Sequence, residues 1–263
     1  MNSLATPILQ AKGVTKRFGA LVAVNAVDFH LDPFEVVGIL GSNGAGKTTF
    51  FNLLTGLFFP TEGTIAYKGR DITRMPPPQR VALGLTRSFQ LTSTFDSLSV
   101  VDNLSLAYFR ASRAPTLTAL LGTRTRSFHQ HPKIRETIET FDLGAIQSRL
   151  VQSLSLGEKR RLEIAMAVLV DPEVLLLDEP LAGLAESEIK AVLAVLRRQI
   201  GRQTILIVEH KISHIQDFVQ RLVVMHEGRV IAEGGYEACL NHPEVRRSYW
   251  QIDPAEEAQH VGA

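Results

Sequence analysis

The chain has 263 residues, 45% hydrophobic and 21% charged, with a formal net charge of +1 at pH 7. That length can bury a real core in one large domain or two small ones, and the balanced charge lacks the basic excess that nucleic-acid binding asks for. Cys239 is the single cysteine, which excludes an internal disulfide and a thiolate metal cluster and suits a reducing compartment.

The opening "MNSLATPILQAKGVTKRFG" holds no apolar core of a secretory signal. From residue 8 to 40 the pattern is short, alternating and turn-punctuated ("ILQAKGVTKRF", "VAVNAVDFHL"), an antiparallel region feeding one buried strand, "EVVGILG". A glycine-rich turn then leads into "KTTFFNLLTGL", a helical pattern ending near Gly56. The longest apolar stretches, such as "FFNLLTGLFF", fall short of the ~20 residues a membrane span needs. "TEGTIAYKGRDIT" returns to strands, and "RMPPPQR" reads as a polar, proline-rich connection before "GLTRSFQ". Helical periodicity dominates from residue 100 to about 151, interrupted by a basic, low-structure segment beginning at Tyr108. "DPEVLLLDEP" and "QTILIVEH" are continuous apolar runs, the pattern of strands buried on both faces of a parallel sheet. Helical patterns flank them, as in βαβ units, so the fold class is α/β. "RLVVMHEGRVIAEGG" predicts a terminal hairpin, and a loose polar tail follows Trp250.

"GSNGAGKTT" matches G-x-x-x-x-G-K-[ST] between a predicted strand and a predicted helix. Gly41, Gly44 and Gly46 let a loop that also holds Ser42, Asn43 and Ala45 turn its N–H groups inward around phosphate oxygens. Lys47 supplies a point charge for the outer phosphates, and Thr48, followed by Thr49, offers a hydroxyl to Mg²⁺. This pattern predicts binding of a nucleoside triphosphate. Asp178 and Glu179 stand where a buried strand ends, the edge at which open α/β sheets bind ligands. Asp178 suits the surroundings of Mg²⁺, and Glu179 suits a base for the attacking water. His210 closes the next strand in the same way; it reads either as a structural histidine or as a γ-phosphate contact. Gln90 reads either as a loop glutamine or as a link between metal and water. In "SLSLGEKRRLEIAM", Ser155 and Glu158 form a capping box, yet Gly157, a poor helix former, sits just inside the helix start. Either packing demands it, or a bare N–H is aimed at an anion.

Phosphate loop, glutamine, Ser-x-Gly turn, Asp-Glu strand and histidine, in this order, resemble the ATP-binding cassette family, the motor subunits of ABC transporters. The resemblance runs over residues 8–250, with 251–263 as the tail. It implies an ABC-type P-loop nucleotide-binding domain: an antiparallel β subdomain, a RecA-like core, and a helical signature subdomain inserted at about residues 92–165. It further implies that residues 41–49 are Walker A, Gln90 the Q-loop residue, residues 174–179 Walker B, "LSLGE" the signature and His210 the H-loop residue. Phe18 falls where the family stacks an aromatic on adenine; a core role is the competing reading.

In that family two cassettes close head-to-tail. Ser155 and Gly157 would then face the γ-phosphate of ATP, with its Mg²⁺, held by a second ATP-binding subunit, identical or not. Three positions depart from the pattern: Leu156 for the first signature glycine, Glu158 for glutamine, and Ala185 for an aspartate or asparagine. Glu158 would repel a phosphate unless it folds back onto the Ser155 N–H. The segment at 107–132, the run "EHKISHIQDFVQRLVVMHEG" and the ending "HPEVRRSYW" are most similar to branched-chain amino acid, urea and amide uptake ATPases. Such a subunit sits peripherally on the cytoplasmic face of the inner membrane. It works with two integral-membrane permeases and, indirectly, a solute-binding protein, and has no nucleic-acid partner. The alternatives are another transport system such as lipopolysaccharide export, a non-transport ABC protein, or a weakly hydrolysing regulatory subunit. Arg110, Arg113, Arg124 and Arg126 read as a solvated loop rather than a membrane-facing patch.

Overall fold

The computed structural model describes residues 6–88, 94–112, 128–210 and 212–249. Two compact units divide the chain, one formed by residues 1–83 with 201–263 and the other by 84–200.

In the first unit, β1 (Leu9–Phe18), β2 (Leu21–Leu31), β4 (Glu62–Tyr67) and β5 (Arg70–Asp71) form an antiparallel sheet in the order β2-β1-β4-β5. Leu9, Ala11 and Val14 point into the core while Lys12 and Arg17 face water, the half-buried alternation legible in the sequence. A second sheet runs in the order β10-β9-β3-β8, from β3 (Val36–Leu40), β8 (Thr204–Val208), β9 (Arg221–His226) and β10 (Arg229–Gly234). β3 is parallel to both β8 and β9, and every residue of β3 and β8 is buried. Arg221 joins the two sheets: its guanidinium donates to both oxygens of Glu35 (2.7 and 2.8 Å), to the His30 carbonyl (2.8 Å) and to Glu233.

Helix α1 (Lys47–Thr55) follows β3 and ends on Gly56, whose φ of 80° is the left-handed conformation that terminates helices. The polar, proline-rich connection contains a short helix, α2 (Pro77–Ala82). Prolines at the first helical positions lose no hydrogen bond, so composition concealed a helix start.

Arg80 of α2 is fully buried. Its guanidinium donates to five carbonyls: Met75 (2.8 Å), Leu53 (2.8 Å), Leu54 (2.7 Å), Ile72 (2.6 Å) and Thr73 (3.3 Å). Burial pushes its pKa down to about 10, against the opposing pull of Asp71, so it stays cationic at neutral pH. The carbonyls of Leu53 and Leu54 belong to the last turn of α1, where a cation complements the helix dipole. Arg80 thus fixes the far end of the helix that the phosphate loop opens. Arg80→Met is expected to lower stability by about 3 kcal/mol, because buried carbonyls lose their donors. Urea unfolding checks this, and a midpoint indistinguishable from wild type would contradict it.

In the second unit, β6 (Leu85–Arg87) pairs in parallel with β7 (Val174–Asp178). The segment "GLTRSFQ" therefore supplies a short strand. Helices α3 (Val100–Ser112), α4 (Pro132–Thr140) and α6 (Glu186–Arg197) pack against α5 (Leu156–Leu169). α6 buries Ile189, Val192, Leu193 and Leu196, the spacing of a helix with one apolar face. Tyr108 lies within α3, so the predicted low-structure segment begins inside a helix; residues 113–127 of it fall outside the described residues. No described helix is long and apolar enough to cross a membrane.

Candidate functional site: a phosphate loop and a capped signature turn

β3 delivers the chain to Gly41 at the exit of the sheet, and the loop turns into α1 at Gly46. Gly46 has φ 95°, and a Cβ there would lie 2.4 Å from the Ala23 carbonyl, so the close approach of β2 to the loop admits only glycine. No side chain caps the N-terminus of α1, and its first turn holds no acidic residue. Backbone N–H groups and the positive end of the helix dipole therefore dominate there, as at anion-binding helix starts. Lys47 is 4% exposed, and its ammonium donates to the carbonyls of Gly41 (2.7 Å) and Ser42 (3.0 Å). These bonds bend the side chain back onto the loop that precedes it. Thr48 is exposed at the helix start.

β8 ends beside β3: the Glu209 N–H donates to the Ile39 carbonyl at 3.2 Å. His210 follows at once, so it leaves the sheet on the edge from which the phosphate loop springs. Phe18, at the end of β1, is 43% exposed and meets Phe58 edge-on, with ring centroids 5.5 Å apart. The Lys16 ammonium lies 5.0 Å from its ring centre. Phe18 is therefore not a core residue, and its ring is accessible for stacking.

In the second unit, Asp178 is the last residue of β7. Arg87, at the end of the neighbouring β6, donates to its Oδ2 at 2.5 Å, and both side chains are largely buried. The sequence singled out Asp178 and missed Arg87; parallel pairing of two short strands brings them together. Glu179 follows with φ 48°, a left-handed conformation that costs a non-glycine residue about 1 kcal/mol or more. Gln90 lies outside the described residues.

The signature turn opens α5. The Ser155 Oγ accepts from the Glu158 N–H (3.2 Å), and Glu158 Oε2 accepts from the Ser155 N–H (2.8 Å), which completes the capping box. Glu158 Oε1 also accepts from Arg149 at 3.1 Å. The Glu158 carboxylate is thus folded back onto its own helix start and paired with Arg149.

Glu188 is the residue sequence reasoning did not find. Its Oε1 accepts from both the Ser155 hydroxyl (2.9 Å) and the Gly157 N–H (2.9 Å), and its Oε2 accepts from the Ala185 N–H (3.1 Å). Hydrogen bonds from Ala185 N–H first, then Gly157 N–H and the Ser155 hydroxyl, hold its carboxyl below the usual carboxylate range. The contact with Ala185 was legible as a helix-start glutamate. The contact with Gly157 depends on how α6 packs on α5.

A strand, a glycine-rich loop turning into an uncapped helix, and a buried lysine curled along that loop define a P-loop nucleotide-binding protein. Comparison with known proteins narrows the class. The family model for ABC transporters matches residues 24–182. The high-affinity branched-chain amino acid transport ATP-binding protein LivG of Escherichia coli (strain K12) is 36% identical over 252 residues, covering 94% of this chain and 98% of that protein. The lipopolysaccharide export system ATP-binding protein LptB of Haemophilus influenzae is 34% identical over 247 residues, covering 92% and 96%. Among solved structures, an ATP-binding cassette of an ABC transporter in its ADP conformation superposes with a TM-score of 0.80 at 27% identity, covering 94% of this chain and all of that one. The chain belongs to the ABC transporter family, and its fold is that of the ATP-binding cassettes.

Proposed function

We propose that this chain is the ATP-binding and ATP-hydrolysing motor subunit of an ABC importer for branched-chain amino acids or related amide or urea solutes. The observation that carries the reading is the end-to-end likeness to LivG, at 36% identity over 94% of the chain. In this reading, residues 8–250 act as one ATPase domain with the helical signature subdomain at about 92–165. The exposed Phe18 ring stacks on adenine, and the loop of Gly41, Ser42, Asn43, Gly44, Ala45, Gly46, Lys47, Thr48 and Thr49 cradles the phosphates. By residue type, a hydroxyl, an amide oxygen and a carboxylate, Thr48, Gln90 and Asp178 are the residues that would hold Mg²⁺, a hard cation that takes oxygen ligands. Bound with ATP, Mg²⁺ would neutralise charge on the phosphates. Glu179 accepts the proton of the attacking water as the water oxygen bonds to the γ-phosphorus and the bond from that phosphorus to the ADP oxygen breaks, and His210 hydrogen-bonds the γ-phosphate. Ser155 and Gly157 donate to the γ-phosphate held by a second ATP-binding subunit, identical or not.

Closure of the pair around ATP is favoured by the higher affinity of the closed state for the triphosphate, and hydrolysis removes that preference. Two permeases would carry the change through the membrane. The subunit would work peripherally on the cytoplasmic face of the inner membrane, with a solute-binding protein acting only through the permeases.

Affinity purification of the chain from solubilised membranes tests this reading. Two permeases and an ATP-binding partner of the branched-chain type are the expected companions. Recovery of lipopolysaccharide-export components would favour the second reading, which the 34% identity to LptB supports. Recovery of ribosomes or DNA-repair proteins would overturn both.

A further inference from the structure

The two groups of the signature turn assigned to a neighbour's phosphate already serve an anion within the chain. Ser155 Oγ and Gly157 N both give their hydrogen to the same oxygen, Glu188 Oε1, at 2.9 Å each. A hydroxyl and an amide have one proton apiece, so neither can serve Glu188 and a phosphate oxygen at full strength together. Two anions at one spot also repel, so carboxylate and phosphate exclude each other.

The fit of Glu188 is specific to this turn. A Cβ on Gly157 would lie 2.7 Å from Glu188 Oε1 and 2.8 Å from its Cβ and Cδ, so the glycine inside the helix start is what admits the carboxylate. Glu158, the other acidic side chain at the turn, is directed to the Ser155 N–H and to Arg149 and does not compete. The second Glu188 oxygen holds the Ala185 N–H, at the cap of α6 on the chain segment that follows Glu179.

We propose that Glu188 is a positioning residue that holds Ser155 and Gly157 in a phosphate-ready arrangement by standing in for the terminal phosphate, and yields them when the opposing subunit's ATP arrives. The proposal rests on the reading that the signature turn meets that nucleotide. It makes Glu188 a threshold for closure: the incoming phosphate must displace a carboxylate that carries the same charge sign and uses the same donors. Displacement also frees the Glu188 grip on Ala185, so phosphate arrival at the turn loosens the start of α6.

The test is ATP turnover against ATP concentration in the full chain assembled with its co-purified partners, for wild type, Glu188→Ala, Glu188→Gln, Ser155→Ala and the double Ser155→Ala/Glu188→Ala. Glu188→Ala is expected to lower the half-saturating ATP concentration roughly 3- to 10-fold, the equivalent of one or two modest hydrogen bonds, while lowering the thermal midpoint by removal of a cap. Glu188→Gln keeps a neutral acceptor at the turn and is expected to move back toward wild type. The double variant should lose the gain, because Ser155 is the group released. A purely structural Glu188 would move KM the other way or leave it unchanged. An unchanged or raised half-saturating concentration in Glu188→Ala, with Ser155→Ala still impaired, overturns the threshold and leaves the composite site standing. Wild-type turnover and KM in Ser155→Ala would overturn the composite site itself.

Discussion

Lys47→Ala is expected to reduce ATP turnover by roughly 100-fold or more, the loss that follows removal of a preorganised charge from a phosphoryl-transfer site. Lys47 is 4% exposed and its ammonium is fixed by the carbonyls of Gly41 and Ser42 at 2.7 and 3.0 Å, so its charge is held against the loop. Truncation removes that charge and also strips a donor from two loop carbonyls, which weakens the turn itself. Lys47→Arg is expected to be a poor substitute, because a planar, larger guanidinium does not fit a site shaped around a compact ammonium. Nucleotide affinity, turnover and thermal midpoint should be measured together. A folded, pure Lys47→Ala protein that hydrolyses ATP at the wild-type rate would reject the assignment of the phosphate loop.

Glu179→Gln is expected to retain ATP while slowing its hydrolysis by about 10²–10⁴-fold, the usual contribution of a positioned general base. Glutamine matches glutamate in size, so it can take the same left-handed backbone conformation, φ 48°, without new packing. What it lacks is a carboxylate that can accept the proton of the attacking water. The diagnostic pattern is therefore undiminished ATP binding with turnover lost, and near-normal turnover would remove Glu179 from the role of base. This separates it from Lys47→Ala, which is expected to weaken binding as well as chemistry.

Legibility of the site tracks sequence distance. The phosphate loop, the capping box at Ser155 and Glu158 and the strand ends at Asp178 and His210 could be read because each is set by a few consecutive residues. Arg87 and Asp178 are 91 residues apart, Glu188 and Gly157 are 31 apart, and Arg80 reaches Leu53 across 27. None of these partners is implied by a local pattern. The proline-rich helix holding Arg80 was hidden for a different reason: prolines at its start look like a break and are in fact compatible with a first helical turn.

Local residue patterns were enough for the buried strands, the phosphate loop and the capped start of the signature helix, since backbone conformation and hydrogen bonding within one turn follow from neighbouring residue types. What each distant charged side chain meets came from the packing: Arg80 the carbonyls ending the phosphate-loop helix, Arg87 the Asp178 carboxylate, and Glu188 the Gly157 N–H. Those meetings depend on strand pairing and on which face one helix turns to the next. Packing of buried side chains sets both, and no short window of sequence contains that packing.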